Sequence, residues 1–189
     1  MSPKKSYHPG SKALHWGIGL AWLATWSLGI YSSSMPQGWN PEYIAATWHK
    51  AIGSLILCLL VVRIAWRLCH PVPDLPASIG AATRRAAKLG HLSLHAFAML
   101  ALPLSGWFMS SVAGAPVVVA GLFKLPALTD PMPEFRHTAQ AIHQLIAWSM
   151  GVLVAGHILM ALKHHFFDRD DILRRMLPRR TSVHDEVRH

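Results

Sequence analysis

Acidic residues are scarce in this 189-residue chain, nine against eighteen lysines and arginines, and its four longest apolar stretches contain none. Without an intramembrane carboxylate, passage of a hard divalent cation lacks its usual oxygen ligands. Cysteine is nearly absent too. Cys58 and Cys69 are the only two and form no Cys-x-x-Cys-His motif. That excludes covalent c-type attachment and a four-thiolate iron–sulfur cluster. Charge is thin overall, at 14% of residues, and neither an internal repeat nor a second domain is visible.

What the chain does have is long apolar blocks, at 13–31, 44–66, 89–113 and 139–163. Each is long enough to cross a bilayer as a helix. The predicted fold is all-α and integral to a membrane: one domain over 1–180, a four-helix transmembrane bundle, then a tail at 181–189. The first block follows lysines as a signal peptide would, but its length and His15 argue for an uncleaved span. Fifteen of the eighteen basic residues fall before the first block, around 63–88, or after the fourth; only Lys50, Lys124 and Arg136 fall in the alternate connections. The positive-inside rule then places both termini in the cytoplasm. Basic clusters interleaved with apolar blocks direct the net charge of +9 to anionic lipid headgroups and not to nucleic acid.

The connections carry their own signals. Trp39 reads as an interfacial anchor, and Pro71, Pro73 and Pro76 end the second span. Pro103 predicts a kink in the third span. The segment PVVVAGLFKLPAL is too short to cross and reads as an interfacial or re-entrant cap. HHFFDRDDILRRMLPRR reads as a charged cytoplasmic helix or turn. Gly17 and Gly19 fit a helix packed closely against a neighbour.

Histidine breaks the apolar pattern. In the fourth block His143 and His157 are fourteen residues apart, a step of roughly 21 Å that returns to within about 40° of the same helix face. Between them the seam reads Ala147, Met150, Gly151 and Val154, small or adaptable, which leaves room for flat ligands held between helices. Alternating span direction then sorts the histidines by depth. His49 and His143 lie near the outer surface, and His15 and His157 near the inner one. Facing helices build cofactor sites in bundles, and two imidazoles on opposite sides of a porphyrin fill both axial positions of its iron. Such an iron is suited to passing electrons. Gly53, four residues beyond His49, leaves space beside that imidazole.

Other readings of the same residues compete. An intramembrane histidine can hydrogen-bond across helices, bind zinc or copper, or belong to a proton relay. His91 and His95, one turn apart, could pair on a metal or sit at the inner interface. His164 continues the ligand face past the inner level, where it could hydrogen-bond a quinone carbonyl and deliver a proton. His8, His70, His184 and His189 read as loop or tail residues.

Taken in order, LHW with His15, WHKAIG with His49 and Gly53, VVRIAWR, GHLSLH, LPLSGW, the His143-to-His157 spacing and HHFFDRDDILRRMLPRR resemble the bacterial cytochrome b561 family. The resemblance runs from about Tyr7 to Arg180. It implies a di-haem b cytochrome of four helices in the bacterial inner membrane, with His15, His49, His143 and His157 as the iron ligands. It implies two haem b and exchange of electrons with ubiquinone. For some similar proteins it implies superoxide:ubiquinone oxidoreduction, superoxide giving its electron at the outer haem. Lys50 and Arg136, with Lys124 and His137, would then form an outer basic patch drawing in the anion, offset by Asp130 and Glu134. Gln140 stands where a basic residue is expected before His143. A periplasmic redox protein is the alternative outer reactant. A cytochrome b subunit anchoring a partner oxidoreductase is the alternative role.

Overall fold

The computed structural model describes residues 6–36, 40–70 and 80–177. Helix α1 (Pro9–Ser34) begins where the sequence supplies a start signal. Pro9 opens the first turn and His8 Nδ1 accepts the Gly10 N–H at 3.1 Å. His8, expected in a loop or tail, is therefore a helix cap. Helix α2 (Asn40–Cys69) returns antiparallel, packed from Trp66 against Gly10 at one end to His49 against Gly29 at the other.

The third helical run is continuous but not uniform. Helix α3 (Ala81–Ala96) passes through a π-helical turn (Phe97–Ala101) into α4 (Leu102–Val112). It starts well before the apolar boundary at 89, because Ala81–Lys88 is alanine- and arginine-rich and propagates a helix without needing an apolar face. The break expected at Pro103 takes the form of the wider π turn just upstream, which accommodates a residue with no N–H to give.

The segment expected to be re-entrant is a β-hairpin. Strands β1 (Val118–Val119) and β2 (Phe123–Lys124) pair antiparallel, Val118 opposite Lys124 and Val119 opposite Phe123. The reversal places Ala120 at φ 46° and Gly121 at φ 78°. Strand β1 packs on α2, and Val117 and Val119 are buried. Trp107 Nε1 donates to the Pro126 carbonyl at 2.8 Å and Leu128 N–H to Ser111 Oγ at 3.0 Å, tying the loop to α4. A 3-10 turn (Pro133–Phe135) leads into α5 (Arg136–Phe166).

A short helix, α6 (Ile172–Met176), folds back under α1. Lys12 Nζ donates to the Leu177 carbonyl at 2.8 Å, Trp16 Nε1 to Met176 at 2.9 Å, and Ser6 Oγ to Arg175 at 3.3 Å. Lys12 is only 7% exposed, its ammonium spent on the carbonyls that the end of a helix leaves without partners. The start of α1, the end of α2 and α6 thus share one end of the molecule.

Trp22, Ile56, Leu60 and Met150 make the core, with Trp26, Ile52, Phe97 and Val154 packed around it. The outward faces are apolar as well: Leu20, Val152 and Leu159 are 63%, 72% and 66% exposed. Large apolar residues on outer faces this extensive fit a hydrocarbon surrounding better than water. Among the described residues two helical stretches, Tyr43–Cys69 and Pro133–Phe166, are long and apolar enough to cross a membrane. Helix α1 has the length, but His15, Trp16, Trp22 and Trp26 lower its hydropathy. A Cβ added at Gly17 or Gly19 would meet nothing within 4 Å among the described residues, so no close packing there requires glycine. Trp39, the loop with Pro71, Pro73 and Pro76, and the tail at 181–189 lie outside the described residues.

Candidate cofactor sites

The two histidines expected at the outer level stand together. His49 from α2 and His143 from α5 have ring centroids 6.2 Å apart, with planes at 88°. Each ring is steered by its Nδ1. His49 Nδ1–H donates to the Thr25 carbonyl at 2.8 Å. His143 Nδ1 lies 2.8 Å from Ser105 Oγ, and that hydroxyl already gives its one proton to the Leu102 carbonyl at 3.0 Å. The imidazole is therefore the donor in that pair. Both rings are held as the tautomer that leaves Nε2 unprotonated, the form in which imidazole binds a metal.

Two glycines make this arrangement possible. A Cβ on Gly29 would stand 2.9 Å from His49 Cε1, and one on Gly106 would stand 3.1 Å from His143 Cε1. The outer site thus needs Gly29, Gly106, Ser105 and the Thr25 carbonyl, none of which the sequence reading singled out. LPLSGW did carry two of them, and Gly29 follows from pairing α1 against α2. Removing the Ser105 hydroxyl strands the His143 Nδ1–H. Ser105→Ala is expected to weaken cofactor binding at this site by about 10- to 100-fold, the usual consequence of losing such a supporting bond, measured by cofactor titration of the stripped protein.

The inner pair has the same spacing with fewer supports. His15 from α1 and His157 from α5 lie 6.1 Å apart, centroid to centroid, at 69°. Neither ring makes a hydrogen bond among the described residues. His91 joins them, edge-on to His157 at 5.3 Å, so the inner level holds three imidazoles. His91 Nδ1 donates to its own helix at the Ala87 carbonyl, 2.7 Å away, and His95 Nδ1 donates to the His91 carbonyl. These back-bonds leave each Nε2 free. They also tie both rings along α3, with His91 aimed at the His157 face.

The spacing of both pairs fits an intervening metal. A metal–imidazole bond is about 2 Å, and a ring adds about 1.1 Å from nitrogen to centroid, so trans imidazoles on one metal sit roughly 6.3 Å apart. Two imidazoles bonded directly to each other would approach to roughly 5.2 Å. At 6.2 and 6.1 Å the pairs match the first arrangement and are too far apart for the second. With imidazole nitrogens as the donors that each pair brings together, the donor set would suit a metal that carries most of its ligands itself, as an iron porphyrin does.

Between the two levels lies aromatic packing, where the sequence left room for ligand. Trp22 stacks on Trp26 at 5.8 Å, and Trp26 meets Trp148 edge-on at 5.3 Å. Gly151, read as relief for a flat ligand, instead accepts Trp26, whose Cζ2 would lie 3.1 Å from an added Cβ. Gly53 has a single neighbour near its missing side chain, Thr25 Cγ2 at 3.7 Å, an ordinary contact.

The remaining expected residues fall apart from the pairs. Lys50 is half-buried beside His49 in the chain, while Arg136, Lys124 and His137 are exposed. His164 has its Nδ1 2.7 Å from Asp170 Oδ2 and 3.1 Å from Asp168 Oδ2, so only Nε2 remains for another partner. Lys163 clasps Asp168 at 2.7 Å, and that hydrogen bond holds the carboxyl below its ordinary value. His164, Asp168 and Asp170 lie close enough to share a cation. The lysine on Asp168 already fills that role.

A family described as prokaryotic cytochrome b561 matches residues 6–179. "Cytochrome b561 homolog 2" of Escherichia coli K12 is 37% identical over 174 residues, covering 91% of each chain. "Probable superoxide oxidase CybB" of Yersinia pestis is 28% identical over 181 residues, covering 93% of this chain and 98% of its own. "Cytochrome b561 homolog 1" of Escherichia coli K12 is 28% identical over 172 residues, covering 88% and 94%.

Proposed function

The chain belongs to the prokaryotic cytochrome b561 family of haem-bearing membrane proteins of electron transport, and from that premise we propose that it passes electrons across a bacterial inner membrane through two b haems, between an outer-side reactant and ubiquinone. The observation that supports this best is the outer pair: His49 and His143, both with Nδ1 committed and Nε2 free, at a spacing suited to one metal between them. In the proposed arrangement α1, α2, the α3–α4 run and α5 each cross the bilayer, with both termini cytoplasmic. A bis-histidine b haem supplies one-electron transfer without an open position for binding at the metal.

The protein's own residues orient and insulate these sites. Thr25 and Ser105 fix the outer imidazoles, and Gly29 and Gly106 let the helices approach them. At the inner level His15 and His157 are the proposed ligands, and His91 is a neighbour of His157. Near that end His164, braced by Asp170, is the proposed donor that hydrogen-bonds ubiquinone and holds a proton for it. A carboxylate behind an imidazole keeps its far nitrogen aimed and stabilises the protonated ring.

Superoxide is the favoured outer reactant on the strength of the Yersinia pestis relative's name, with Lys50 and Arg136 available to attract an anion. The reaction balances as two superoxide ions, one ubiquinone and two protons giving two dioxygen molecules and one ubiquinol. Gln140 removes one basic group from that approach. Purified protein mixed with superoxide in a stopped-flow instrument is expected to show low-spin b-haem reduction without any partner. Reduction by quinol but not by superoxide would reject superoxide as the reactant. Reduction only after a partner oxidoreductase is added would reassign the chain as an anchoring cytochrome subunit.

A further inference from the structure

Where α1 starts and α2 ends, a small cleft of about 40 Å³ is lined by Tyr7, Ser11, Arg63, Trp66, Arg67 and His70 among others. Its walls are already committed to one another. Trp66 stacks on His70 at 3.9 Å, its Nε1 donates to Ser11 Oγ at 3.0 Å, and Gly10 abuts the indole. His70 Nδ1 is taken by the Trp66 carbonyl at 3.1 Å. Arg63 and Arg67, one turn apart on α2, are different: neither has a hydrogen bond or ion pair among the described residues. Of the acids that follow α5, Asp168 is engaged with Lys163 and Asp170 with His164.

Arg63 is half-buried, and an unpaired guanidinium within a membrane helix is costly unless it meets an anion. Its depth shows where that anion belongs. With Trp66 against Gly10 and His49 against Gly29, antiparallel register sets the turn bearing Arg63 beside the turn bearing His15. A carboxylate carried by a group seated between His15 and His157 would stand at that level.

We propose that Arg63, assisted by Arg67, is an anion clamp for the propionate carboxylates of the tetrapyrrole held between His15 and His157. This rests on the reading of those two histidines as haem ligands. A planar guanidinium matches a carboxylate with two parallel bonds, which lysine cannot copy. The clamp fixes the rotation of the tetrapyrrole in a site whose imidazoles lack supporting hydrogen bonds. It also places positive charge where the reduced form is favoured.

The test uses the full chain, stripped and titrated with haem or with haem dimethyl ester, whose carboxylates are masked. In the wild type the ester is expected to bind the inner site roughly tenfold more weakly than haem, the value of a charge-assisted hydrogen bond. In Arg63→Gln the two should bind alike, and Arg63→Lys should recover part of the difference. The inner midpoint potential should fall in Arg63→Gln while the outer one stays. Equal discrimination in Arg63→Gln and wild type would overturn the clamp alone. So would a loss that tracks the phosphatidylglycerol content of added vesicles, which would assign Arg63 to lipid. A wild type lacking an inner haem would overturn the ligand reading and the clamp with it.

Discussion

His49→Ala is expected to purify with half the wild-type haem, and the missing half should be the outer one. The reason is geometric. His49 and His143 are the two imidazoles of the outer pair, and among the described residues no third ring contacts either. The inner site has His91 beside His157, but the outer site has no such reserve. His143→Ala should give the same spectrum as His49→Ala, because each would remove one of the two imidazoles proposed to hold the outer haem. The double variant should lose no more haem than either alone, the signature of two residues acting as one unit. Pyridine haemochrome assay and reduced-minus-oxidised spectra measure this directly. A His49→Ala protein that keeps both haems, with unchanged low-spin bands, would break the pairing. His15→Ala should remove the inner half and leave the outer bands in place.

The contrast between levels explains what could be read from sequence. The four ligand candidates follow from two periodic facts: a fourteen-residue repeat of helix face in α5 and the alternation of helix direction. Those facts fix which residues meet. They carry no information on what lies behind each ring. Thr25 acts through its backbone carbonyl, which every residue has, so no side-chain pattern marks it. Ser105 becomes useful only because the π turn before Pro103 changes the direction in which the following residues project. The same limit accounts for Gly151. Its smallness was legible, but whether a ligand or Trp26 filled the space depends on a tryptophan 125 positions away in α1. The hairpin at Val118–Lys124 was hidden for a local reason. Its reversal uses Ala120 at positive φ, a conformation alanine seldom takes, beside only one glycine.

Helix α6 gives Lys12 a role that its charge alone does not indicate. Charge placed Lys12 on the cytoplasmic side as one of many cations. In the structure it is buried against the Leu177 carbonyl, so it holds the closing segment to α1 next to the turn bearing His15. Arg63 follows the opposite course. It counted as one of the basic residues around 63–88, and its turn stands beside the turn bearing His15, with no acidic partner among the described residues. Counting basic residues by side of the membrane treats these two as equivalent.

Gly29→Leu should abolish the outer haem as completely as losing a ligand, although Gly29 has no chemistry of its own. An added Cβ would stand 2.9 Å from His49 Cε1 and 3.0 Å from Nδ1, closer than carbon or nitrogen normally approaches. The branched remainder of leucine has to occupy the imidazole's own volume. Either the ring rotates and gives up its 2.8 Å bond to the Thr25 carbonyl, or α1 and α2 separate. Rotation strands a buried N–H and points Nε2 elsewhere. Separation opens the packing that runs from Gly29 to Gly10. Overpacking of this kind costs about 1–3 kcal/mol in stability, which a membrane helix pair can survive, so the protein should still accumulate. The expected signature is therefore specific: normal yield, inner-haem bands intact, outer-haem bands gone, with Gly29→Ala intermediate. Gly17→Leu is the matched control, since a Cβ added there would meet nothing within 4 Å among the described residues, and it should retain both haems. Equal loss of the outer haem in Gly17→Leu would attribute the effect to helix propensity. Retention of both haems in Gly29→Leu would mean that His49 is not held in the position from which it ligates.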